Sequence, residues 1–391
     1  MARAEQPTSW SDLPAELAGL VLCRLPAYPD RVRFGAVCHH WSFSAAQNCL
    51  PPPLPCLSFS DGAFFSLPCR ESFQFPDSAS YHSSCGEWLI FSCDGACSLK
   101  NPFSKITMTL PNLSCFFLID EPMEIINGRA TQDGEMPQDL PGTDAKMSID
   151  KIIVCSLRLV VAVVYIGPIH TVALCRPGAD SWFFSGLFGK NHLIDMMFYE
   201  GKLYAIDKYK DLLSIDIGED NDNGKLSISR IERLVESVSQ TFSVVLKGIT
   251  FINQFLVESR GALLLVRTSF FGMSSHNGRG CMSTEPVGIE FKVFQADFHS
   301  SRWVGVTSLG DDQVLFMGKS YSQSVDVSQY KLKGNSIFIL DDGTCNWFWK
   351  NRTSSCAVYD MSDETTYLPM PEGSLKGDKA QATWLFPPTV M

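Results

Sequence analysis

The feature that most constrains the fold of this chain is a short apolar unit that recurs between residues 88 and 360. Each unit is a small residue, an apolar strand, a turn, a second apolar strand and an aspartate. The units return roughly every 50 to 70 residues, a period within or somewhat above that of propeller blades. One strand pair cannot bury its apolar face alone, whereas radial stacking of several sheets buries the faces and protects the edges. The recurrence predicts an all-β domain, a β-propeller, with a sandwich or another array of β-repeats as the alternative.

The units can be placed along the chain. Strand pairs are predicted within residues 88–99, 151–165, 201–216, 261–297 and 335–360. A short helix is predicted around residues 228–238. Two polar segments, 120–150 and 271–286, are predicted to be long loops, which in other proteins are often functional or disordered. The aspartates at the strand ends are interpreted as turn formers, because Asp bonds its own backbone two residues on: Asp94, Asp207, Asp216, Asp297, Asp341 and Asp360.

The first fifty residues have a helical pattern instead. A helix is predicted over residues 13–25, with Pro14 in its first position and Ser11 or Asp12 as the cap. Pro26 ends this helix, Pro29 continues the break, and a second helix is predicted after Asp30. The apolar residues of both helices follow helical spacing: Leu13, Leu17, Leu20, Val21 and Leu25 in the first, and Phe34, Val37, Cys38 and Trp41 in the second. So short a hairpin rarely holds enough core to be stable alone, which predicts that part of its apolar surface binds a partner.

Three motifs in this hairpin resemble the F-box, which binds the Skp-type adaptor of cullin-based ubiquitin ligases. They are Leu13-Pro-x-Glu-Leu17, Leu25-Pro26 and Val37-Cys-x-x-Trp41. The resemblance covers about forty residues, keeps the order and spacing of the motif, and is specific beyond a lone short pattern. It implies that the hairpin core and the adaptor-binding face are formed by seven residues: Leu13, Pro14, Leu17, Leu20, Leu25, Val37 and Trp41.

The remainder of the chain resembles the plant F-box family that carries a KIB-type β-propeller. The motifs lie, in that family's order, at residues 101–103, 173–178 with Trp182, 198–207, 256–259, 303–310 and 315–318. The resemblance implies a plant source and a role as a substrate receptor. In the best-understood branch of the family the targets are shaggy-like kinases. That identity is not transferred to this chain, because propeller loops diverge faster than propeller frameworks.

Composition narrows the class of function. The 391 residues carry a net charge of −10, with a pI near 5.2, and 45% of them are hydrophobic. This charge disfavours nucleic acid and an anionic membrane surface as partners. The first residues lack the apolar run of a secretory signal, so a soluble protein of the nucleus or cytoplasm is expected. The fourteen cysteines are scattered and are expected to be small buried hydrophobes rather than disulfides.

No catalytic, cofactor or metal site is predicted. The seven histidines are dispersed, and neither a nucleophile elbow, a phosphate-binding loop nor a zinc-protease motif occurs in the sequence. Cys93 and Cys97 are not followed by a second pair at zinc-site spacing. We therefore expect a subunit that binds other proteins and carries no catalytic residue.

These expectations divide the chain into four parts. Residues 1–9 are a flexible N-terminus, 10–50 an F-box, 51–56 a proline-rich connector and 57–391 the propeller. The predicted function is the substrate-recognition adaptor of an SCF-type cullin ubiquitin ligase, linked to the cullin through the Skp-type adaptor. The target is an unknown protein, for which family resemblance suggests a kinase. The alternative is a propeller that binds proteins independently of any ligase. A propeller hydrolase is a third hypothesis.

Overall fold

The computed structural model describes residues 10–47, 50–59, 61–67, 70–75, 81–93, 96–119, 126–127, 147–166, 169–185, 193–219, 225–237, 249–277, 281–330, 332–341, 356–367 and 382–388. The predicted N-terminal tail, the Asp94 turn and most of the predicted loop at 120–150 lie outside these residues. The last four residues of that loop, 147–150, belong to a strand. Among the described residues, no helix is long and apolar enough to span a membrane.

Three short α-helices, rather than the predicted two, form the N-terminal unit. After a 3-10 turn at Trp10–Asp12 come α1 (Ala15–Cys23), α2 (Tyr28–Gly35) and α3 (His39–Gln47). Pro14 is the N-cap of α1 and not its first helical residue. Pro29 lies in the first turn of α2, where a ring that lacks an N–H is tolerated, so it begins a helix where the sequence predicted a break.

The helices share one small core. It consists of Ala18, Leu22, Phe34, Ala45 and Leu50. The ring of Trp41 stacks on Phe34 with a centroid distance of 4.4 Å. The two rings meet because the chain turns between α2 and α3, and not because they lie on one continuous helix as the spacing predicted.

The regular secondary structure in the rest of the described chain is β-strand. Their bounds are β1 Cys56–Phe59, β2 Ala63–Ser66, β3 Glu71–Gln74, β4 Ser83–Cys85, β5 Trp88–Cys93, β6 Ala96–Lys100, β7 Thr107–Leu110, β8 Phe116–Ile119, β9 Met147–Ser156, β10 Leu159–Ile166, β11 Ile169–Cys175, β12 Trp182–Ser185, β13 Leu193–Tyr199, β14 Lys202–Asp207, β15 Leu212–Glu219, β16 Leu226–Val235, β17 Ile249–Ser259, β18 Ala262–Asn277, β19 Cys281–Asp297, β20 Arg302–Val306, β21 Gln313–Met317, β22 Gln323–Asp326, β23 Ser336–Leu340, β24 Cys356–Asp360, β25 Thr365–Tyr367 and β26 Ala382–Leu385.

These strands form six sheets, the blades of a β-propeller. The sheet orders, written from the centre outwards, are β26-β1-β2-β3, β4-β5-β6-β7, β9-β10-β11-β12-β8, β13-β14-β15-β16, β17-β18-β19-β20 and β22-β21-β23-β24-β25. The first strand of each order is innermost, since β26, β4, β9, β13, β17 and β22 contact one another in that succession. The predicted propeller is confirmed, and the sandwich is excluded.

The last strand closes the ring. Strand β26 pairs antiparallel with β1, from Cys56 opposite Leu385 to Phe59 opposite Ala382. On the closing strand, the Trp384 indole N–H donates to the Met317 carbonyl of the sixth blade at 3.0 Å. The first and last described strands of the propeller thus share one sheet.

Two sequence predictions on the propeller are wrong. The helix expected near residues 228–238 is the outer strand β16. Its pairing with β15 shifts register between Asp216 and Ile217, so the inward residues become Ile228 and Ile231. A strand with one extra residue presents apolar side chains three apart, and this spacing resembles a helical one.

The predicted loop at 271–286 is instead a hairpin. Strands β18 and β19 remain paired out to Asn277 opposite Cys281, beyond Gly272, where the ladder with β17 ends. A two-stranded extension satisfies its backbone groups through the ladder itself and needs no buried apolar face. Its polar, glycine-bearing sequence therefore looked like a loop.

A buried arginine joins the helices to the propeller. The guanidinium of Arg31 is fully buried and donates to the carbonyls of Leu25 and Pro51, at 2.9 and 2.7 Å. It also donates to the Tyr330 hydroxyl at 2.9 Å, and that hydroxyl donates to the Pro52 carbonyl at 2.8 Å. Burial lowers the pKa of Arg31, and the adjacent Tyr330 partly opposes this shift. The proline-rich connector is therefore bound between helix and blade along its length, and is not a free spacer.

Asp195 joins three neighbouring blades. Its carboxylate on β13 accepts from the ammonium of Lys151 on β9, and both side chains are buried. The other carboxylate oxygen accepts from the backbone N–H of Leu256 on β17 at 2.7 Å. One side chain thus fixes the spacing of the third, fourth and fifth blades near the propeller axis.

We predict that Tyr330→Phe will destabilise the junction without disturbing the core around the ring. Loss of the hydroxyl leaves Arg31 with one acceptor fewer and Pro52 without its donor, at a cost of about 1–2 kcal/mol. Denaturant unfolding of the full chain measures this cost. The matched control is Arg33→Met, which breaks only exposed ion pairs to Asp30 and Glu71 and should leave the midpoint unchanged. Equal effects of the two variants would contradict the role given to Tyr330.

We also predict that Asp195→Asn will lower the free energy of unfolding by about 3–5 kcal/mol, because it leaves Lys151 buried without its anion. The double variant Asp195→Asn with Lys151→Met should recover most of that loss, since it removes the buried charge as well. Thermal or denaturant unfolding of the three proteins tests this. A double variant less stable than the single one would show that the ion pair does not account for the loss.

Candidate functional site

The helical unit carries an exposed apolar surface on α1. Leu17, Leu20 and Val21 occupy positions i, i+3 and i+4 of this helix, and their side chains are about half exposed. The opposite side of α1 carries Ala18 and Leu22, both fully buried in the helical core. Helix α1 is therefore apolar on two sides, and among the described residues only the side of Ala18 and Leu22 is covered.

The structure divides the seven predicted adaptor-binding residues into two groups. Leu13, Leu25 and Trp41 pack against the helical core, and the Trp41 indole also donates to the Trp10 carbonyl at 3.1 Å. The exposed group consists of Pro14, Leu17, Leu20 and Val37. The first group shapes the helical unit, and the second is available to a partner.

Other exposed apolar side chains of the unit were not predicted as partner-binding residues. Trp10 is 77% exposed and Phe43 on α3 is 59% exposed, and Val21 and Val32 are also exposed. The spacing of Val21 from Leu17 does place it on the same helical face. Phe43 carried no such signal, because its exposure depends on where α2 ends and α3 begins. We name the exposed residues Pro14, Leu17, Leu20, Val21 and Val37 the docking face.

A second candidate surface lies around the mouth of the propeller channel. A cleft of about 310 Å³ is lined by blades three, four and five and by Lys319 of the sixth blade. A neighbouring cleft of about 260 Å³ is bounded by blades one, two, three and six. Asp150 and Lys319 line both clefts, and their side chains form an ion pair at 2.7 Å. We name the two clefts together the channel-mouth cavity.

The channel-mouth cavity and the helices lie on opposite faces of the propeller. The cavity is lined by Ser83 and Ala382, the first residues of inner strands β4 and β26, and by Asp150 in the first half of β9. The helical unit is attached beside Leu385, at the end of inner strand β26, through the connector that leads into Cys56. One face thus carries the docking face and the other carries the cavity.

The groups within the cavity are arranged in pairs. The ring of Tyr165 meets that of His170 edge to face, with centroids 4.0 Å apart. Burial raises the pKa of the Tyr165 hydroxyl, the Asp150 carboxylate raises it further, and Lys319 opposes both. The pKa of His82, in the second cleft, is lowered by burial. The charged and aromatic groups of the cavity are thus paired with one another.

Other acidic residues singled out in the sequence have structural roles. Asp207, Asp297 and Asp360 each accept from the backbone N–H two residues on, at 2.9 to 3.0 Å, which confirms them as turn formers. Asp216 pairs with Lys202 at 3.5 Å instead. Within the described ranges no group of three His, Cys, Asp or Glu side chains is placed to hold a metal ion.

No curated protein matches this sequence. Among solved structures, the chain is similar to the extracellular domain assigned to the one component system BT4673 from B. thetaiotaomicron. The identity is 10% and the TM-score 0.22, over 79% of this chain and 50% of that one. This chain thus spans half the length of that structure, and a likeness of this degree supports no conclusion about function.

A family model identifies the propeller directly. It describes the KIB1-4 beta-propeller and matches residues 57–360, a span that runs from β1 to the end of β24. The span covers more than half of the sequence and includes strands of all six blades. On this match, the chain belongs to the KIB1-4 β-propeller family.

Proposed function

We propose that this chain is the substrate-recognition adaptor of an SCF-type cullin ubiquitin ligase. In this proposal the docking face binds the Skp-type adaptor, and the propeller binds a target protein. The observation that carries it is the exposed apolar side of α1, where Leu17 and Leu20 remain uncovered beside a complete helical core. Exposed apolar patches of this kind mark protein-binding surfaces, and the patch lies within the segment that resembles an F-box.

The attachment of the helices supports the same proposal. An adaptor has to hold its target at a defined position relative to the ligase, and Arg31 and Tyr330 bind the helices to the propeller through buried hydrogen bonds. Two binding surfaces on one rigid body raise the effective concentration of one bound partner near the other. The chain then needs no catalytic residue of its own, because proximity accelerates the reaction of the partners.

We predict that Leu17→Asp will abolish capture of a Skp-type adaptor by the full chain. A charge in the centre of an apolar interface is expected to weaken binding roughly a hundredfold, as at an interface hot spot. Leu118→Asp on β8 is the matched control, because Leu17 and Leu118 are 48% and 49% exposed. A pull-down with purified adaptor measures both, and thermal unfolding checks that both variants are folded.

The outcomes of this pull-down are distinct. Loss of capture by Leu17→Asp but not by Leu118→Asp supports the docking face. Failure of the unmodified chain to capture the adaptor, or equal capture by all three proteins, contradicts the proposal.

Target turnover tests the second half of the proposal. Proximity labelling in plant cells, with the proteasome inhibited, should identify a protein that binds the propeller. The unmodified chain and Leu17→Asp should enrich this protein equally. The half-life of that protein should lengthen when Leu17→Asp replaces the unmodified chain. A bound protein whose half-life is the same in both cases would instead favour a propeller that acts independently of a ligase.

A further inference from the structure

The charges that line the channel-mouth cavity favour a cationic ligand. Its two lysines are each paired with a carboxylate, Lys151 with Asp195 and Lys319 with Asp150. Asp341 adds a third carboxylate to the described lining. The described lining therefore carries more carboxylates than ammonium groups, in a chain whose net charge is −10.

The two ion pairs differ in how easily a ligand can compete for them. The pair of Lys151 and Asp195 is buried, and Asp195 also holds a backbone N–H of blade five, so this pair is structural. The pair of Lys319 and Asp150 is partly open to solvent, with the Lys319 side chain 46% exposed and the Asp150 side chain 20% exposed. An exposed pair of this type contributes little free energy, so a ligand cation can replace Lys319 at Asp150 at small cost.

Apolar and aromatic groups surround Asp150 in the same cleft. Ile194 on β13 and Ile252 on β17 also line it, and each is 40% exposed. The Tyr165 ring lines the cleft as well. Aliphatic surface beside a carboxylate suits the methylene stem of a long basic side chain, and an aromatic face attracts its charged head.

An amide acceptor is also present. Gln254 lines the cleft, and its Oε1 is buried without a hydrogen-bond partner among the described residues. A buried acceptor without a donor is costly, and a ligand N–H within reach after rotation of the side chain would satisfy it. Arginine, whose guanidinium carries five donors in a planar fork, can serve a carboxylate and an amide together.

We propose that the channel-mouth cavity binds an arginine side chain presented by a segment of a partner protein. Asp150 accepts from the guanidinium, Gln254 accepts a further N–H, and Ile194 and Ile252 cover the aliphatic stem. This inference deepens the proposed function. It rests on that function in one respect, namely that the partner protein is the target of the ligase. It also assigns target recognition to the face opposite the helices.

Methyl spectroscopy on the full chain tests the binding itself. The chain is labelled at the isoleucine δ1 methyls and titrated with the peptide acetyl-Gly-Arg-Gly-amide. The resonances of Ile194 and Ile252 should shift in a saturable way, whereas that of Ile106, which lies outside the cavity and is 43% exposed, should not. Acetyl-Gly-citrulline-Gly-amide, the neutral analogue, should bind about tenfold more weakly, because charge-assisted hydrogen bonds are roughly twice as strong as neutral ones.

Two variants connect the binding to the named residues. Asp150→Asn should weaken the arginine peptide about tenfold, through loss of a charge-assisted bond. Gln254→Leu, which keeps the approximate size of the side chain, should weaken it by about threefold. The matched control is Asp216→Asn, which removes the same charge from a different ion pair, that with Lys202, and should leave binding unchanged.

Three results of the titration would each contradict arginine binding at Asp150. Equal binding of the citrulline and arginine peptides, stronger binding of acetyl-Gly-Glu-Gly-amide, or equal weakening by Asp150→Asn and Asp216→Asn would each overturn the inference. Because no adaptor is present in the titration, its failure is separate from a failure of the Leu17→Asp pull-down. Arginine binding without adaptor capture would keep the cavity and reject the ligase role.

Discussion

The structure depends on the pairing of its last strand with its first. When β26 adds to β1, the ring of blades is complete, and the apolar faces of the first and sixth blades pack on each other. Phe316 and Phe338 of the sixth blade then surround Trp384 of the closing strand. A propeller blade has no complete core of its own, so each blade packs its apolar faces on its neighbours, and closure gives the first and sixth blades their shared interface. The other features of the molecule, including both candidate surfaces, are positioned by this closure.

The attachment of the helices follows from the same closure. The connector enters β1 beside the end of β26, and Tyr330 lies in the apolar cluster that the closing strand completes. The guanidinium of Arg31 is buried there only because backbone carbonyls and the Tyr330 hydroxyl replace the water that it loses. The docking face and the channel-mouth cavity consequently have fixed positions on opposite faces. This arrangement allows two partners to be held at once, as the proposed adaptor function requires.

Sequence patterns predicted the blades well where the strands are regular. Strands β9 and β10, β14 and β15, and β23 and β24 lie in the strand pairs that the sequence predicted. Prediction failed at β16, where register shifts replace the period of two with spacings that resemble a helix. It also failed at the extension of β18 and β19, whose ladder carries polar residues and a proline. In both places the partner strand, rather than the local sequence, determines the structure.

The sequence by itself determined which residue types are available for the candidate sites. It also determined that an apolar helical unit precedes a set of β-repeats. It predicted Pro14, Leu17, Leu20 and Val37 of the docking face together with residues of the helical core, since Leu13 and Leu17 carry the same local signal. Only the tertiary structure decided that Leu17 is exposed and that Leu13 packs inward, because exposure depends on how α1, α2 and α3 pack. It alone brought Asp150, Ile194, Gln254 and Lys319 together, since these residues lie on separate blades and meet only where the inner strands surround the axis.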